Sequence, residues 1–240
     1  MNEPVRPARP HHRLTEDGRR VREVLTYARR GSRFTSRQLA WWEAYAEAHV
    51  IPDEAVDEPG FSFSSQFPSE QPLIVEIGCG IGEATAALAA ARPAYNILGF
   101  EVWRPGVAEC VGRVGELGLT NVRMCSIDAV WCMEHLIAPG QLAGLWSFFP
   151  DPWQKKKHHK RRLVNPGFAR LAATRLRAGA EWRLATDWAD YAEQAQEVLD
   201  AEPLLEGGPV ERWAERPLTR FERRGIKEGR AITDFAYRRV

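Results

Sequence analysis

The chain has 240 residues, 44% hydrophobic and 27% charged, with a formal net charge of +1. This composition excludes general disorder and fibrous classes, and the length suits one main α/β domain with appendages. The longest apolar runs, such as PLIVEIG, fall well short of the roughly 20 residues a bilayer span needs, and the start has no apolar signal core, so a cytoplasmic protein is expected.

Residues 1–14 set Pro4, Pro7 and Pro10 among arginines and histidines, a composition that cannot pack a core and predicts a disordered basic leader. Helices are expected over 16–30 and 36–49, the second with Ser36 as N-cap. A stretch rich in Pro, Gly, Ser and acids follows over 51–71 and reads as a linker or irregular cover. The division expected is therefore 1–14 as leader, 15–71 as helices and acidic linker packed on the core, and 72–240 as the main domain. Charge is segregated along this N-terminal part. Residues 1–40 hold ten arginines against four acids, and residues 41–72 hold seven acids with no Lys or Arg. A basic patch attracts a polyanion even in a near-neutral protein, because screening confines each charge to roughly 8–10 Å.

From residue 72 a regular alternation begins. PLIVEIG, YNILGFEV, NVRMCSI, LAGLWSFF and EWRLAT read as strands, while GEATAALAAARP, RPGVAECVGRVGELG, AVWCMEHL, GFARLAATRLRAG and WADYAEQAQEVLDA read as the helices that follow them. This predicts a mostly parallel sheet covered on both faces. TRFERRG and AITDFAYRRV are read as two further strands pairing antiparallel at an edge, giving seven strands. Cysteines at 79, 110, 125 and 132 show no CxxC pair and are read as scattered buried thiols. His158 and His159 lack acidic or cysteine partners at metal spacing, so no metal site is expected.

In doubly wound sheets ligands bind beyond the carboxyl ends of the strands. Glu76, Glu101, Asp128, Asp151 and Asp187 fall within or just after the five predicted parallel strands. After the first strand, EIGCGIGEAT places glycines at 78, 80 and 82, which permit a tight turn and close approach of a ligand. A dinucleotide fingerprint would need glycine at 83, where Glu83 stands, and Glu83 with Glu76 would repel a pyrophosphate at the helix N-terminus. The pattern suits a cofactor with a positive centre and no phosphate. S-adenosylmethionine has that character, with its sulfonium and ammonium. Glu101 is placed to accept from the ribose hydroxyls, or else is a solvated loop acid, and Asp128 is placed to accept from the adenine amino group. These features point to a Rossmann-like, class I S-adenosylmethionine-dependent methyltransferase fold.

The fourth strand runs into FFPDPWQKKKHHKRRL. Pro150 and Pro152 remove two backbone donors and restrict the neighbouring dihedrals, which should hold the Asp151 carboxylate in place. Trp153 offers an aromatic face to a base or a wall to the pocket. The run from Lys155 to Arg162 would elsewhere be a solvated face. Beside a catalytic rim it points to a polyanionic substrate, with nucleic acid the foremost candidate.

From about Arg29 to the C-terminus the chain resembles the single-chain bacterial tRNA (guanine-N7)-methyltransferase family. The resemblance rests on VEIGCGIGE, GFEVWRPGV, FFPDPWQKKKHHKRRL, ATDW and TRFERRG, with the Arg-rich RRGSRFTSRQ before them. It implies methylation of the guanine at position 46 in the tRNA variable loop. It further implies cofactor contacts from Glu76, Glu101, Asp128 and Asp151 beside the glycines, with Asp151 also catalytic. Substrate contacts would come from Lys155, Asp187, Thr219, Arg220, Phe221 and Glu222, and RNA contacts from Lys157, His158, His159, Lys160, Arg161 and Arg162. Gln154 departs from the family, where histidine is frequent, and puts an acid-base role at that position in doubt. On residues alone, Asp187 reads equally as a helix N-cap, and 219–222 as an edge strand. A non-catalytic RNA-binding protein on the same fold, or a methyltransferase acting on a protein or small molecule, stays open at this stage, as do monomer and homodimer.

Overall fold

The computed structural model describes residues 25–27, 31 and 33–240. Seven strands make one sheet: β1 Leu73–Ile77, β2 Asn96–Phe100, β3 Val122–Cys125, β4 Leu142–Phe148, β5 Leu176–Thr186, β6 Leu205–Val210 and β7 Thr233–Arg239. Their spatial order is β3-β2-β1-β4-β5-β7-β6, so the order reverses between β1 and β4. The first five strands pair in parallel, and β7 lies antiparallel between β5 and β6. The helices among the described residues are α1 Ser36–His49, α2 Glu83–Ala90, α3 Arg104–Glu116, α4 Ala129–His135, α5 Pro166–Arg175, α6 Ala189–Asp200 and α7 Arg220–Lys227.

The apolar strands are buried on both faces, as parallel pairing demands. Successive side chains of a strand point to opposite faces. Accordingly Ile74 joins one core with Val107, Val111 and Val114 of α3, while Val75 joins the other with Phe168 of α5 and Tyr191 of α6. The alternation legible from residue 72 therefore corresponds to β1 through α6, with boundaries moved by a few residues.

Three expectations are corrected. TRFERRG is not a strand: it lies in and just before α7, because the Thr219 hydroxyl accepts from the Glu222 N–H and caps the helix. The second edge strand is LEGGPV, whose glycines and proline hide any strand pattern. Glycine is needed at 207, since a Cβ there would lie 2.0 Å from the Ala236 carbonyl oxygen. The N-cap of α1 is Thr35 rather than Ser36, in a reciprocal capping box with Gln38.

The stretch over 51–71 forms two 3₁₀ turns, Ala55–Asp57 and Ser64–Gln66. It buries Ile51, Val56, Phe63 and Phe67, and the Phe63 ring meets Phe100 edge-on at 5.7 Å. It is therefore a cover built into the core. Of the helix expected over 16–30, residues 25–27 are described and form a bend, and the rest, like the 1–14 leader, lies outside the described residues. All four cysteines are buried and free. Among the described residues no helix is long and apolar enough to cross a membrane.

Helix α1 packs on α3 through two glycines that leave room for aromatic rings. A Cβ at Gly112 would stand 2.3 Å from the Trp41 ring, and one at Gly115 would stand 2.3 Å from Tyr45. Polar contacts fix the register: Gln38 and Arg37 both donate to Glu109, and the Trp41 indole N–H donates to Glu116. Alanine normally favours a helix over glycine by about 1 kcal/mol. Gly112→Ala is nevertheless expected to destabilise the fold by about 1–3 kcal/mol through overpacking. Urea unfolding of the two proteins checks this, and a more stable variant would contradict it.

Candidate active site at the carboxyl ends of the strands

Beyond β1 the chain turns through Gly78, Gly80 and Gly82, whose φ angles are 76°, 58° and 74°. These left-handed conformations strain any residue bearing a Cβ. Gly82 is also the N-cap of α2 and packs so tightly on α3 that a Cβ would lie 2.4 Å from Cys110 Sγ. The turn is pinned from β2, because the Glu101 carboxylate accepts from the backbone N–H groups of Gly80 at 2.9 Å and Trp103 at 2.8 Å.

A cavity of about 110 Å³ opens at this end of the sheet, where the strand order reverses. Gly78 and Gly80 line it from β1, Glu101 from β2, Ile127 and Ala129 from β3, and Phe149 through Asp151 from β4. Phe221 of α7 and Thr26 and Tyr27 of the N-terminal segment complete the wall. A smaller cavity of about 30 Å³ adjoins it under α7, lined among others by Glu76, Gly78, Glu83, Thr219 and Phe221.

Glu76 is buried at the end of β1, and the Thr85 hydroxyl donates to it at 2.7 Å. Its pKa is pushed up to about 7, first by burial, with the Thr85 bond opposing and the charge of Glu101 adding to the rise. The Asp128 carboxylate accepts from the Trp131 N–H and caps α4, while its neighbours Ile127 and Ala129 line the main cavity. Asp151 lies on the cavity wall between two left-handed residues, Phe149 at φ 54° and Trp153 at φ 46°. Such conformations outside glycine cost of order 1–3 kcal/mol and persist only where the surroundings hold them. Here the Phe149 N–H donates to the Ala185 carbonyl, the buried Arg162 donates to the Pro152 carbonyl, and the Trp153 indole donates to the Thr26 carbonyl.

Asp187, after β5, stands outside both cavities' linings and pairs with Arg230 at 2.7 Å. It does not cap α6, whose N-cap is Trp188. Thr219 caps α7 and lines the smaller cavity, and Phe221 is 42% exposed at the mouth of both. Glu222 corrects an expectation: it is fully buried, and its carboxylate pairs with Arg212 and Arg216 at 2.6 Å each, so it braces α7 from beneath instead of facing a ligand.

The basic run forms a 3₁₀ helix, Lys156–Arg161, on the rim next to Asp151. Lys155, Lys156, Lys157 and Lys160 are exposed. His158 packs against Trp153, and its pKa is lowered by partial desolvation and by the surrounding cations. His159 lies 3.6 Å from Asp190, and Arg161 stacks on Trp153 while donating to the carbonyls of Leu25 and Tyr27. Arg162 is a second correction, since it is 1% exposed and pairs with Asp190 across the Tyr191 ring. It holds the Pro152 loop from inside. Gln154 is exposed. Among the described residues no group of three His, Cys, Asp or Glu is placed to hold a metal.

Sequence reasoning missed the buried braces. Arg216 pairs with Glu222 and Asp234 and lies over the rings of Phe148 and Phe149, which ties α7 and β7 to the end of β4. Arginines recur around it at 212, 220, 223 and 224, and nothing local in the sequence separates an arginine that turns inward from one that does not.

This fold, with a glycine turn and carboxylates gathered at the strand reversal, defines the methyltransferase class, and comparison with known proteins agrees. A family profile described as "Putative methyltransferase" matches residues 70–235. A tRNA (guanine-N(7)-)-methyltransferase of Nocardioides sp. is 69% identical over 98% of this chain and 95% of its own. The enzyme of that name from Cutibacterium acnes is 45% identical over 93% and 86%, and one from Burkholderia cenocepacia is 43% identical over 92% and 86%. The chain belongs to the tRNA (guanine-N(7)-)-methyltransferase family. Among solved structures, the 16S rRNA methyltransferase KamB superposes with a TM-score of 0.53 at 16% identity, covering 74% of this chain and 91% of its own, a likeness of fold alone.

The raised Glu76 pKa has a consequence for stability. The folded chain holds a proton on this carboxyl up to about pH 7, whereas the unfolded chain releases it near the ordinary value of 4.5. Stability tied to that proton is full below pH 4.5 and is lost as pH rises to 7. Between those limits wild-type stability should fall with pH more steeply than that of Glu76→Gln, by up to about 1.4 kcal/mol per pH unit. Denaturant unfolding across pH 5–8 measures this, and parallel curves would remove the assignment.

Proposed function

We propose that the protein transfers the methyl group of S-adenosylmethionine to N7 of a guanine in tRNA, at position 46 of the variable loop. The observation that carries this reading is the junction at the end of β4. There Asp151 on the cavity wall is followed directly by a rim of exposed lysines. A cation-seeking pocket and a polyanion-seeking surface thus meet at one edge. The same reading places the protein with its tRNA in the cytoplasm.

The cavity's donor set fits the methyl donor. Glu101, oriented by two backbone N–H groups, has the carboxylate chemistry that accepts from ribose hydroxyls. The buried Glu76 carboxyl, which lines the adjoining smaller cavity, suits the ammonium of the amino-acid end, and the lack of side chains on the glycine turn lets a ligand approach closely. The Asp128 loop borders the adenine side. When bound, the donor supplies an electrophilic methyl on a positively charged sulfur.

Guanine N7 carries a lone pair and no proton, so the protein need supply no general base. Its work is to orient the base and to offset the positive charge the base acquires. Asp151, held between two prolines, is assigned that role. Phe221 offers an exposed aromatic face at the cavity mouth against which the base can stack. Asp187, already neutralised by Arg230, serves the guanine edge through its remaining acceptor capacity. Lys155, Lys156, Lys157 and Lys160 take RNA phosphates, with His158, His159 and Arg161 shaping the turn that presents them.

Incubation of the protein with labelled S-adenosylmethionine and unmodified tRNA, followed by mapping of 7-methylguanine, tests acceptor, atom and position together. Labelled 7-methylguanine at position 46 is expected, and Asp151→Ala should lower kcat by at least about a hundredfold with little change in donor affinity. Label on another base, on protein or nowhere would overturn the proposal. Neutralising the four lysines together should weaken tRNA binding and flatten its salt dependence, removing roughly 3 to 4 from the log–log slope. An unchanged slope would take the rim out of RNA recognition.

A further inference from the structure

The first residue of α2, Glu83, follows the glycine turn directly, yet its carboxylate contacts α7. Oε2 accepts from the Arg220 backbone N–H at 2.5 Å, and Oε1 accepts from the Arg223 guanidinium at 2.5 Å. Helix α7 thus receives two N-terminal caps, one from its own Thr219 and one from the far side of the active site. An anion at that end also meets the positive end of the helix dipole. The site beside this contact is shared: Glu83 and Phe221 line the small cavity under α7, and Phe221 continues into the main cavity. The Phe221 ring lies 3.7 Å from where a Cβ on Gly80 would stand.

We infer that Glu83 is a positioning residue, clasping α7 to the cofactor turn so that Phe221 and the methyl donor are held in one geometry. The inference rests on the assignment of the main cavity to the donor and of Phe221 to the target base. Three contacts hold α7 in place. Glu222 is held from below by Arg212 and Arg216, the latter reaching the end of β4, and Gly225 packs on Asp187 after β5, so these tie the helix to β4 and β5. The Glu83 contact ties it to the glycine turn itself. Arg223 is 50% exposed, so the ion pair contributes little to global stability. Its effect lies in where the N-terminal turn of α7 sits, and a displacement of about 1 Å beside reacting groups costs rate out of proportion to the energy of the contact. The clasp is also invisible to a reading of either motif alone, because its partners are 137 and 140 residues apart.

The test is a double-mutant cycle on the full chain with Glu83→Ala, Arg223→Ala and the pair, reading kcat/KM for tRNA, the Kd for S-adenosylmethionine and Tm. Each single variant should lower kcat/KM about five- to tenfold, and the double variant no further than the worse single one. Donor Kd should stay within about twofold and Tm within a few degrees. Single effects that multiply in the double variant, or a donor Kd that rises by the factor kcat/KM falls, would overturn the inference. Transfer by wild type matched at full rate by Glu83→Ala would remove the positioning role alone. No transfer to tRNA by wild type would strike the proposed function instead, and this inference with it.

Discussion

Parallel pairing of β1 with both β2 and β4 is the constraint on which the site depends. At the reversal of strand order the chain leaves β1 toward α2 on one face and leaves β4 toward α5 on the other, so a crevice opens between them. Glu76, the glycine turn and the Phe149–Asp151 segment all lie within a few residues of those two strand ends. Gathering acids in such a crevice costs energy, and the structure offsets the cost in different ways. Glu76 is buried beside Thr85 and gains affinity for a proton, while Asp187 takes Arg230. Glu101 is held by two backbone N–H groups, which orient a carboxylate without cancelling its charge.

The basic residues divide by direction, and the division follows from what each must hold. Arg162 and Arg216 turn inward, each paired with carboxylate and each lying over an aromatic ring, beneath the two segments that wall the cavity. Burying a charge is expensive unless it is paired and hydrogen-bonded, so such residues are weak sources of net stability. Their geometric effect is stronger. The Arg162 guanidinium reaches a loop carbonyl and a helix carboxylate together, and that of Arg216 a helix and a strand carboxylate, so the pair fix irregular backbone that has no ladder to hold it. The lysines of the same run have no such task and remain in solvent.

Much of this was legible in the chain itself. The alternation from residue 72 gave β1 through α6 because buried parallel strands and amphipathic helices differ in period, and of the five acids after the strands the fold brings Glu101 and Asp151 to the main cavity and Glu76 to the smaller one. Near Leu204 the reading failed for identifiable reasons. LEGGPV pairs through backbone groups and offers no apolar alternation, while the charged TRFERRG takes its helix from a Thr219 cap and from arginine pairs that form only in three dimensions. Composition likewise failed to separate Arg162 from its neighbours. Residues 51–71 read only as a linker or an irregular cover because the four buried apolar residues, Ile51, Val56, Phe63 and Phe67, are spaced to fit the surface they cover and follow no helical or strand period.

Gln154 fits the proposed chemistry once the movement of charge is considered. Methyl transfer to N7 releases no proton, so the exposed side chain after Pro152 and Trp153 need not be a histidine. What changes is the location of positive charge, which leaves the sulfur and appears on the base. A carboxylate equidistant from both would stabilise ground and transition states alike and would not raise kcat. Acceleration requires an acid nearer the base than the donor. Among the cavity's carboxylates, Glu101 sits back against the glycine turn, whereas Asp151 sits on the segment that leads directly into the lysine rim. On the proposed reading, the backbone segment that brings RNA to the protein also carries the charge that favours its methylated product.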